Sequence, residues 1–175
     1  MALQLGHRMS EDFDLFNPDQ LEPEFLSRVE KVFLGKTVQP LVNNPEQLTC
    51  LVDKIKLTFL QYPFPIVRDL VEFQGQRLLG VPELTAVKAY TIGRRGSFKD
   101  YVDIYFSVSE NHISLPQLLV LTEEKYGDIF NSRLFLEQLA YLDDVQDAEI
   151  KFLKKPISKS GLQRFFEKEI SSLSI

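Results

Sequence analysis

Asp12-Phe13-Asp14-Leu15-Phe16, followed by Asn17-Pro18-Asp19, is the stretch whose reading decides the fold. From Asp12 to Phe16 acidic and apolar residues alternate strictly, the period of a half-buried strand with acids on one side and apolar groups on the other. Asn-Pro-Asp then signals a turn. Side chains two apart in a strand point the same way, so Asp12 and Asp14 can share a divalent cation at the strand end. Magnesium takes hard oxygen ligands and completes its shell with waters and phosphates. Such metals activate an attacking hydroxyl and hold a leaving pyrophosphate. The wet face of an edge strand places two acids in the same way with no chemistry at all, and the spacing alone does not separate the two.

Upstream, Met1 to Leu5 reads as the end of a helix with Gly6 as its C-cap. Five residues are short for a helix, which suggests that something normally precedes Met1. Downstream, Phe25, Val29 and Phe33 recur at a spacing of four and predict a short helix over residues 24–33. Strands are expected at about 37–42, 48–53 and 55–60, where Thr, Val, Leu, Ile and Phe are common. Asn43-Asn44-Pro45 turns the first pair, and Asp53-Lys54 is a weaker turn signal for the second. Tyr62-Pro63-Phe64-Pro65 must be extended or turned. Residues 70–79 suggest a strand or hairpin around Gly75.

The texture changes near residue 82, beyond which helical periodicity dominates. Pro82 opens a helix of about 83–92, closed by Gly93. Arg94-Arg95-Gly96-Ser97 reads as a basic turn. Ser97 caps a helix of about 98–108, with Asp100 as its capping-box acid. Further helices are expected at about 115–127, 131–142 and 160–170, with Pro116 near the start of the first. The fold class is therefore α+β: a mixed β-sheet flanked by helices, with a C-terminal helical region. Residues 1–82 form the α/β core, and residues 83–175 form a helical region packed on the same core.

The chain has 175 residues, is 44% hydrophobic and 26% charged, and carries a net charge of -5. A chain of this length buries roughly 70% of its unfolded surface, enough for a real core. The acidic balance excludes a uniformly basic nucleic-acid surface but leaves room for a local basic groove. One Cys excludes an intrachain disulfide and a cysteine zinc cluster. Cys50 itself reads as packed away. No apolar run reaches bilayer length and no signal segment opens the chain, so the expectation is a cytoplasmic, non-membrane protein. His7 and His112 are too few, and too far from a defined nucleophile, for a hydrolase triad. There is no glycine-rich dinucleotide fingerprint and no Gly-Lys-Ser phosphate loop.

Lys88 sits in a helix otherwise lined by Leu84, Val87 and Tyr90. It can reach a phosphate as a point charge or simply lie in solvent. Arg94, Arg95 and Lys99 bracket a glycine turn, where they can hold nucleotide phosphates or an RNA backbone, or form a solvated cationic helix end. Asp100 and Asp103 share a helix face. Asp103, within Tyr-Val-Asp-Ile-Tyr-Phe, needs a partner because an acid buried alone is costly, and Lys88 or an arginine can supply it. Asp143-Asp144 closes a helix at the end the dipole does not favour.

Taken together, four segments resemble one family. They are residues 2–16, the strand and aromatic-proline exit Ile55-Lys-Leu-Thr-Phe-Leu-Gln-Tyr-Pro-Phe-Pro65, residues 83–106 with Ala86-Val-Lys88-Ala and Lys99-Asp100-Tyr-Val-Asp103, and Tyr141-Leu-Asp-Asp144. In order and spacing they resemble the abortive-infection nucleotidyltransferase toxins of the AbiEii type, within the DNA polymerase beta-like nucleotidyltransferases. The resemblance implies that Asp12 and Asp14 bind Mg2+, that Lys88 contacts the triphosphate, and that Asp103 and Asp100 position substrate or lysine. Asp12, Asp14, Lys88 and Asp103 would be the catalytic set, and Arg8, Ser10, Lys88, Arg95, Lys99 and Asp100 would line the nucleotide site. It further implies a nucleoside triphosphate substrate, an RNA or protein acceptor, and a cognate antitoxin. Two departures accompany it. The family's Gly-Gly-Ser/Thr element on the preceding helix is absent, as in an N-terminally truncated relative. A third acid, on a later strand, is matched here by Thr58. A catalytically inactive relative that acts as a protein-interaction or structural module is the alternative implied.

Overall fold

The alternating stretch does form a strand. In the computed structural model, which describes residues 1–146 and 148–173, a one-turn helix α1 (Ala2–Leu5) precedes β1 (Asp12–Asn17) and α2 (Phe25–Val32). Three strands follow, β2 (Val38–Asn44), β3 (Gln47–Val52) and β4 (Ile55–Gln61). A hairpin of β5 (Leu70–Phe73) and β6 (Gln76–Leu79) leads to α3 (Val81–Arg95), α4 (Phe98–Ser109), α5 (Leu115–Tyr126), α6 (Ser132–Ala140) and α7 (Lys159–Ser171). The architecture is α+β, with a mixed sheet, helices and a C-terminal helical region, as the sequence leads one to expect. The chain divides into two compact units, Ser10–Phe64 and Met1–Met9 with Pro65–Ile175.

Unit Ser10–Phe64 is built on a four-stranded sheet of order β1-β4-β3-β2. β1 runs parallel to β4, while β4, β3 and β2 are antiparallel neighbours. Asp53 and Lys54, the weak turn signal, both take positive φ (46° and 77°), the backbone that matches a two-residue hairpin to strand twist. Asp53 is held there by Lys36 at 2.7 Å and by the Thr37 amide, which donates to Asp53 Oδ1 at 3.1 Å. One sheet face is apolar. Leu48, Cys50 and Val52 pack with Leu21 and Val29, and Phe25, Leu57 and Phe59 complete the cluster. This explains the burial of Cys50 and the spacing of Phe25 and Val29 on α2. β1 lies at the sheet margin, outside that cluster. Phe13 is 56% and Leu15 44% exposed, so the strand is open on both sides rather than half buried. Its end is fixed by aromatic contacts, Phe16 to Tyr62 and Tyr62 to Phe64.

In the other unit, α3 to α7 enclose the main core, which includes Ala86, Ala89, Val102, Ile104, Leu118, Leu139, Leu162 and Phe166. α4 is buried nearly all round, as its apolar run requires. Ser114 and Asn131 cap α5 and α6 by accepting from the Gln117 and Leu134 amides. The segment from Met1 to Met9 docks here. Leu5 joins the core, Gln4 Nε2 donates to the Leu79 carbonyl at 2.8 Å, and the Met9 amide donates to the Lys151 carbonyl at 2.9 Å. Glu83 and Lys125 form a fully buried ion pair at 2.6 Å, and the Glu83 carboxylate also accepts from the Val67 and Arg68 amides.

α3 does not stop at Gly93. It runs on to Arg95 and ends at Gly96, so Arg94 and Arg95 are helical and the basic turn is shorter than expected. A helical glycine costs roughly 1 kcal/mol relative to alanine, which weakens a helix without ending it. Gly96 is the true stop: its ψ of 118° leaves the helical range, Ser97 caps the next helix, and a Cβ at Gly96 would stand 3.2 Å from two atoms of the Tyr101 side chain. Among the described residues no helix is long and apolar enough to cross a membrane.

Candidate functional site

Asp103 is the electrostatic centre of the helical unit. It lies in α4 with no exposed surface. Burying a carboxylate costs several kcal/mol unless it is paired and hydrogen-bonded. Here it is both. Arg8 donates through Nε to Oδ1 at 2.7 Å and through Nη2 to Oδ2 at 2.9 Å, a planar fork on a planar acid. His7 Nε2 lies 2.8 Å from Oδ1, and Lys88 Nζ lies 3.3 Å from Oδ2. Burial pushes the Asp103 carboxyl up, but the hydrogen bonds from His7 and Arg8 and the charge of Lys88 outweigh it and hold the group well below the usual carboxylate range.

Lys88, on α3, is shared between two acids. Its ammonium donates to Asp100 Oδ1 at 2.7 Å. The other oxygen of Asp100 accepts from the Ser97 amide at 3.1 Å and its hydroxyl at 2.7 Å, closing the capping box of α4. Burial lowers the Lys88 ammonium, and the charges of Asp103 and Asp100 more than reverse this, so it titrates above its ordinary value. Its side chain remains 27% exposed, and an ammonium has three donors. The structure thus brings together Arg8, Lys88, Asp100 and Asp103. Arg95, at the end of α3, and Lys99, on the first turn of α4, are exposed in the same unit.

Asp12, Asp14 and Ser10 belong to the other unit. The register sets Asp12 beside Lys56 and Asp14 beside Thr58 on β4, with Thr58 in turn beside Thr49 on β3. Strand alternation therefore puts Asp12, Asp14, Lys56, Thr58 and Thr49 on the polar face, opposite the face that α2 covers. Both aspartates are exposed, and Lys56 Nζ is 3.9 Å from the Asp12 carboxylate. Two hard carboxylates on one face fit a magnesium ion whose remaining ligands are waters and phosphates. Among the described residues no group of three or more His, Cys, Asp or Glu side chains gathers into a fuller cation site.

His7 is the participant the sequence reading passes over. It is completely buried, leans on the Phe106 ring at 4.8 Å, and leaves its Nδ1 without a hydrogen-bond partner among the described residues. This arrangement suits an imidazole that donates from Nε2 to Asp103. The available signal was the need of a buried acid for partners, which named lysine and arginine but not the histidine beside Arg8. Lys56 and Thr49 escape notice for a different reason: only the strand register reveals them as neighbours of the acid pair.

No family model matches the sequence. An uncharacterized protein of Aquifex aeolicus (strain VF5), aq_aa25, is 28% identical over 149 residues, covering 84% of this chain and 72% of that one. A crystal structure from H. pylori, of a protein provisionally named a nucleotidyltransferase, is similar with a TM-score of 0.48 at 15% identity, covering 99% of this chain and 86% of that one. JHP933 from Helicobacter pylori is similar with a TM-score of 0.45 at 14% identity, covering 94% and 80%. These are distant likenesses, two of shape and one of sequence.

Proposed function

We propose that this protein binds a magnesium-complexed nucleoside triphosphate and transfers its nucleotidyl group to an RNA or protein acceptor, in the manner of an AbiEii-type toxin held in check by an antitoxin. The observation that carries the reading is the placement of Asp12 and Asp14 on the polar face of β1, parallel to β4. In this reading Asp12 and Asp14 hold Mg2+, which when bound neutralises phosphate charge and polarises the reacting phosphorus. Ser10 precedes the strand and supplies a hydroxyl toward nucleotide, whereas the Arg8 guanidinium, expected at the nucleotide, is buried and taken up by Asp103 and the Met9 carbonyl. Lys88 presents its remaining N–H to phosphate while Asp100 and Asp103 fix the amine. Arg8 and His7 in turn keep Asp103 charged, so that the lysine is aimed rather than free. Arg95 and Lys99 serve as phosphate or RNA-backbone contacts.

A second reading is favoured by two specific features. Thr58 stands in register with Asp14 where the resembled family carries a third acid. The Lys88 ammonium is already engaged by two carboxylates. A protein that keeps this scaffold without transfer chemistry, and works by binding another protein, accounts for both. Losing one preorganised electrostatic donor costs roughly 100- to 1000-fold in rate, so the absent acid decides between slow and negligible turnover.

Titration calorimetry with Mg2+ and each nucleoside triphosphate tests the first reading. It expects magnesium-dependent binding that Asp12→Asn and Asp14→Asn each abolish. Absence of binding in the parent chain removes the nucleotide site. Binding that neither substitution affects moves the metal elsewhere. Nucleotide binding without label transfer from α-32P nucleotides to RNA or protein acceptors selects the second reading.

A further inference from the structure

The polar face of the four-stranded sheet holds a lysine beside its acid pair. Register and strand alternation put Asp12 and Asp14 of β1, Lys56 and Thr58 of β4 and Thr49 of β3 on that face. Among the described strand residues there, only Asp12, Asp14 and Lys56 are charged. Lys56 pairs in register with Asp12, while the neutral Thr58 pairs with Asp14. The cation therefore stands at one flank of the acid pair.

Stability gives little reason for a lysine at this position. Lysines commonly guard exposed sheet edges, but β4 lies between β1 and β3. Its Nζ stands 3.9 Å from the Asp12 carboxylate, beyond hydrogen-bond length, and the two side chains are 45% and 52% exposed. An ion pair so loose and so wet adds little to folding. At that distance the three N–H donors of the ammonium are not taken by Asp12 and remain available to another acceptor. Lys88 differs, since it already donates to Asp100 at 2.7 Å and lies 3.3 Å from Asp103.

We propose that Lys56 is a phosphate-binding residue of the nucleotide site, its ammonium meeting the polyphosphate from beside Asp12. This rests on the reading of Asp12 and Asp14 as the magnesium ligands of a bound nucleoside triphosphate. The class of ligand follows from the charges. Two carboxylates on one face repel a bare polyphosphate, so the anion needs positive charge where it meets them. Magnesium held by one or two carboxylates supplies part of it, and a flexible ammonium on the same face supplies the rest as a point charge. Lys56 thus acts in two opposite senses. It competes with a metal ion for Asp12 when no phosphate is present, and it joins the metal in holding phosphate when one is.

Calorimetry on the full chain tests this with two probes: Mn2+ alone, and Mg2+ with each α,β-methylene nucleoside triphosphate, which cannot transfer its nucleotidyl group. Lys56→Gln should weaken nucleotide binding by about tenfold or more, the usual contribution of one charge-assisted hydrogen bond. The same variant should tighten the binding of Mn2+ alone by about twofold or more, because a competing cation has left Asp12. Lys56→Arg, which keeps the charge, should restore most of the nucleotide affinity. A lysine that only steadies the strand pair would lower both affinities together or leave both unchanged, so the opposite shifts are the signature of the proposed role. Mn2+ binding that fails to tighten in Lys56→Gln, or nucleotide affinity that arginine does not restore, overturns the assignment. Nucleotide binding that Asp14→Asn abolishes and Lys56→Gln leaves unchanged overturns it too, while the acid pair keeps its role. A parent chain that binds no nucleotide with Mg2+ removes the nucleotide site itself, and the role of Lys56 with it.

Discussion

Asp103 concentrates the energetics of the helical unit in one carboxylate. Arg8, His7 and Lys88 converge on it with no surface exposed, so Asp103→Asn strands at least one buried cation. Breaking a buried pair by removing one partner costs about 3–5 kcal/mol, and urea unfolding should show a loss of that size. The pH dependence has a definite direction. The folded group ionises below an unfolded aspartate, whose pKa is about 3.9. Its contribution is therefore complete above about pH 4 and disappears as pH falls below that value. Between pH 5 and 2 the parent protein should lose stability more steeply than Asp103→Asn. Tyr101 works in the opposite sense. Its phenol is raised to about 12, chiefly by burial and then by Asp144 and Asp100, so its stabilisation holds below about pH 10 and fades above. Ultraviolet titration should find one phenol ionising near pH 12, and Asp144→Asn should lower that midpoint. The sequence alone shows that an acid inside Tyr-Val-Asp-Ile-Tyr-Phe needs a partner. It does not show which, because Arg8 and His7 lie 95 and 96 positions away and no local period links them to α4.

The two glycines at the end of α3 behave as opposites. Gly93 has helical neighbours on both sides and nothing closer than 3.9 Å to an added methyl. Gly93→Ala should therefore stabilise by roughly 0.5–1 kcal/mol. At Gly96 the same methyl meets the buried Tyr101 side chain at 3.2 Å. Gly96→Ala should destabilise by roughly 1–3 kcal/mol, as overpacking does. Thermal unfolding of the pair should shift in opposite directions, and a common direction would contradict these surroundings. The same contrast shows what the sequence could and could not tell about the elements. Strand period, Pro82, the Ser97 cap and the helical spacing on α2 are local signals, and each marks its element to within a few residues. The true end of α3 was missed because a lone glycine such as Gly93 is tolerated inside a helix, so Gly93 and Gly96 carry the same local signal. The parallel pairing of β1 with β4 was likewise hidden, because three elements intervene between them. The openness of β1 follows from that marginal position rather than from its own alternation.

At the scale of the whole molecule, two cores are separate in composition. Leu48, Cys50, Val52, Leu21 and Val29 form one, and the α3-to-α7 cluster with Leu5 forms the other. Leu48→Ala should cost about 2–5 kcal/mol locally. Amide exchange should accelerate throughout residues 10–64 more than in α4 or α5. Uniform acceleration across the chain would mean that the two cores melt as one. The formal charge of -5 sits on a chain whose basic residues near α3 and α4 are partly consumed by internal ion pairs, so general affinity for polyanions is not expected from charge alone.

The order of the units along the chain also matters. The strip carrying Leu5, His7 and Arg8 is synthesised before the residues beyond 100 that complete its binding place, with the sheet between them in sequence. On the ribosome, that strip must wait, cationic and unmatched, while Ser10–Phe64 gathers its own strands. Any early clasp by an acidic surface would compete with Asp103 for the same arginine until α4 has been made.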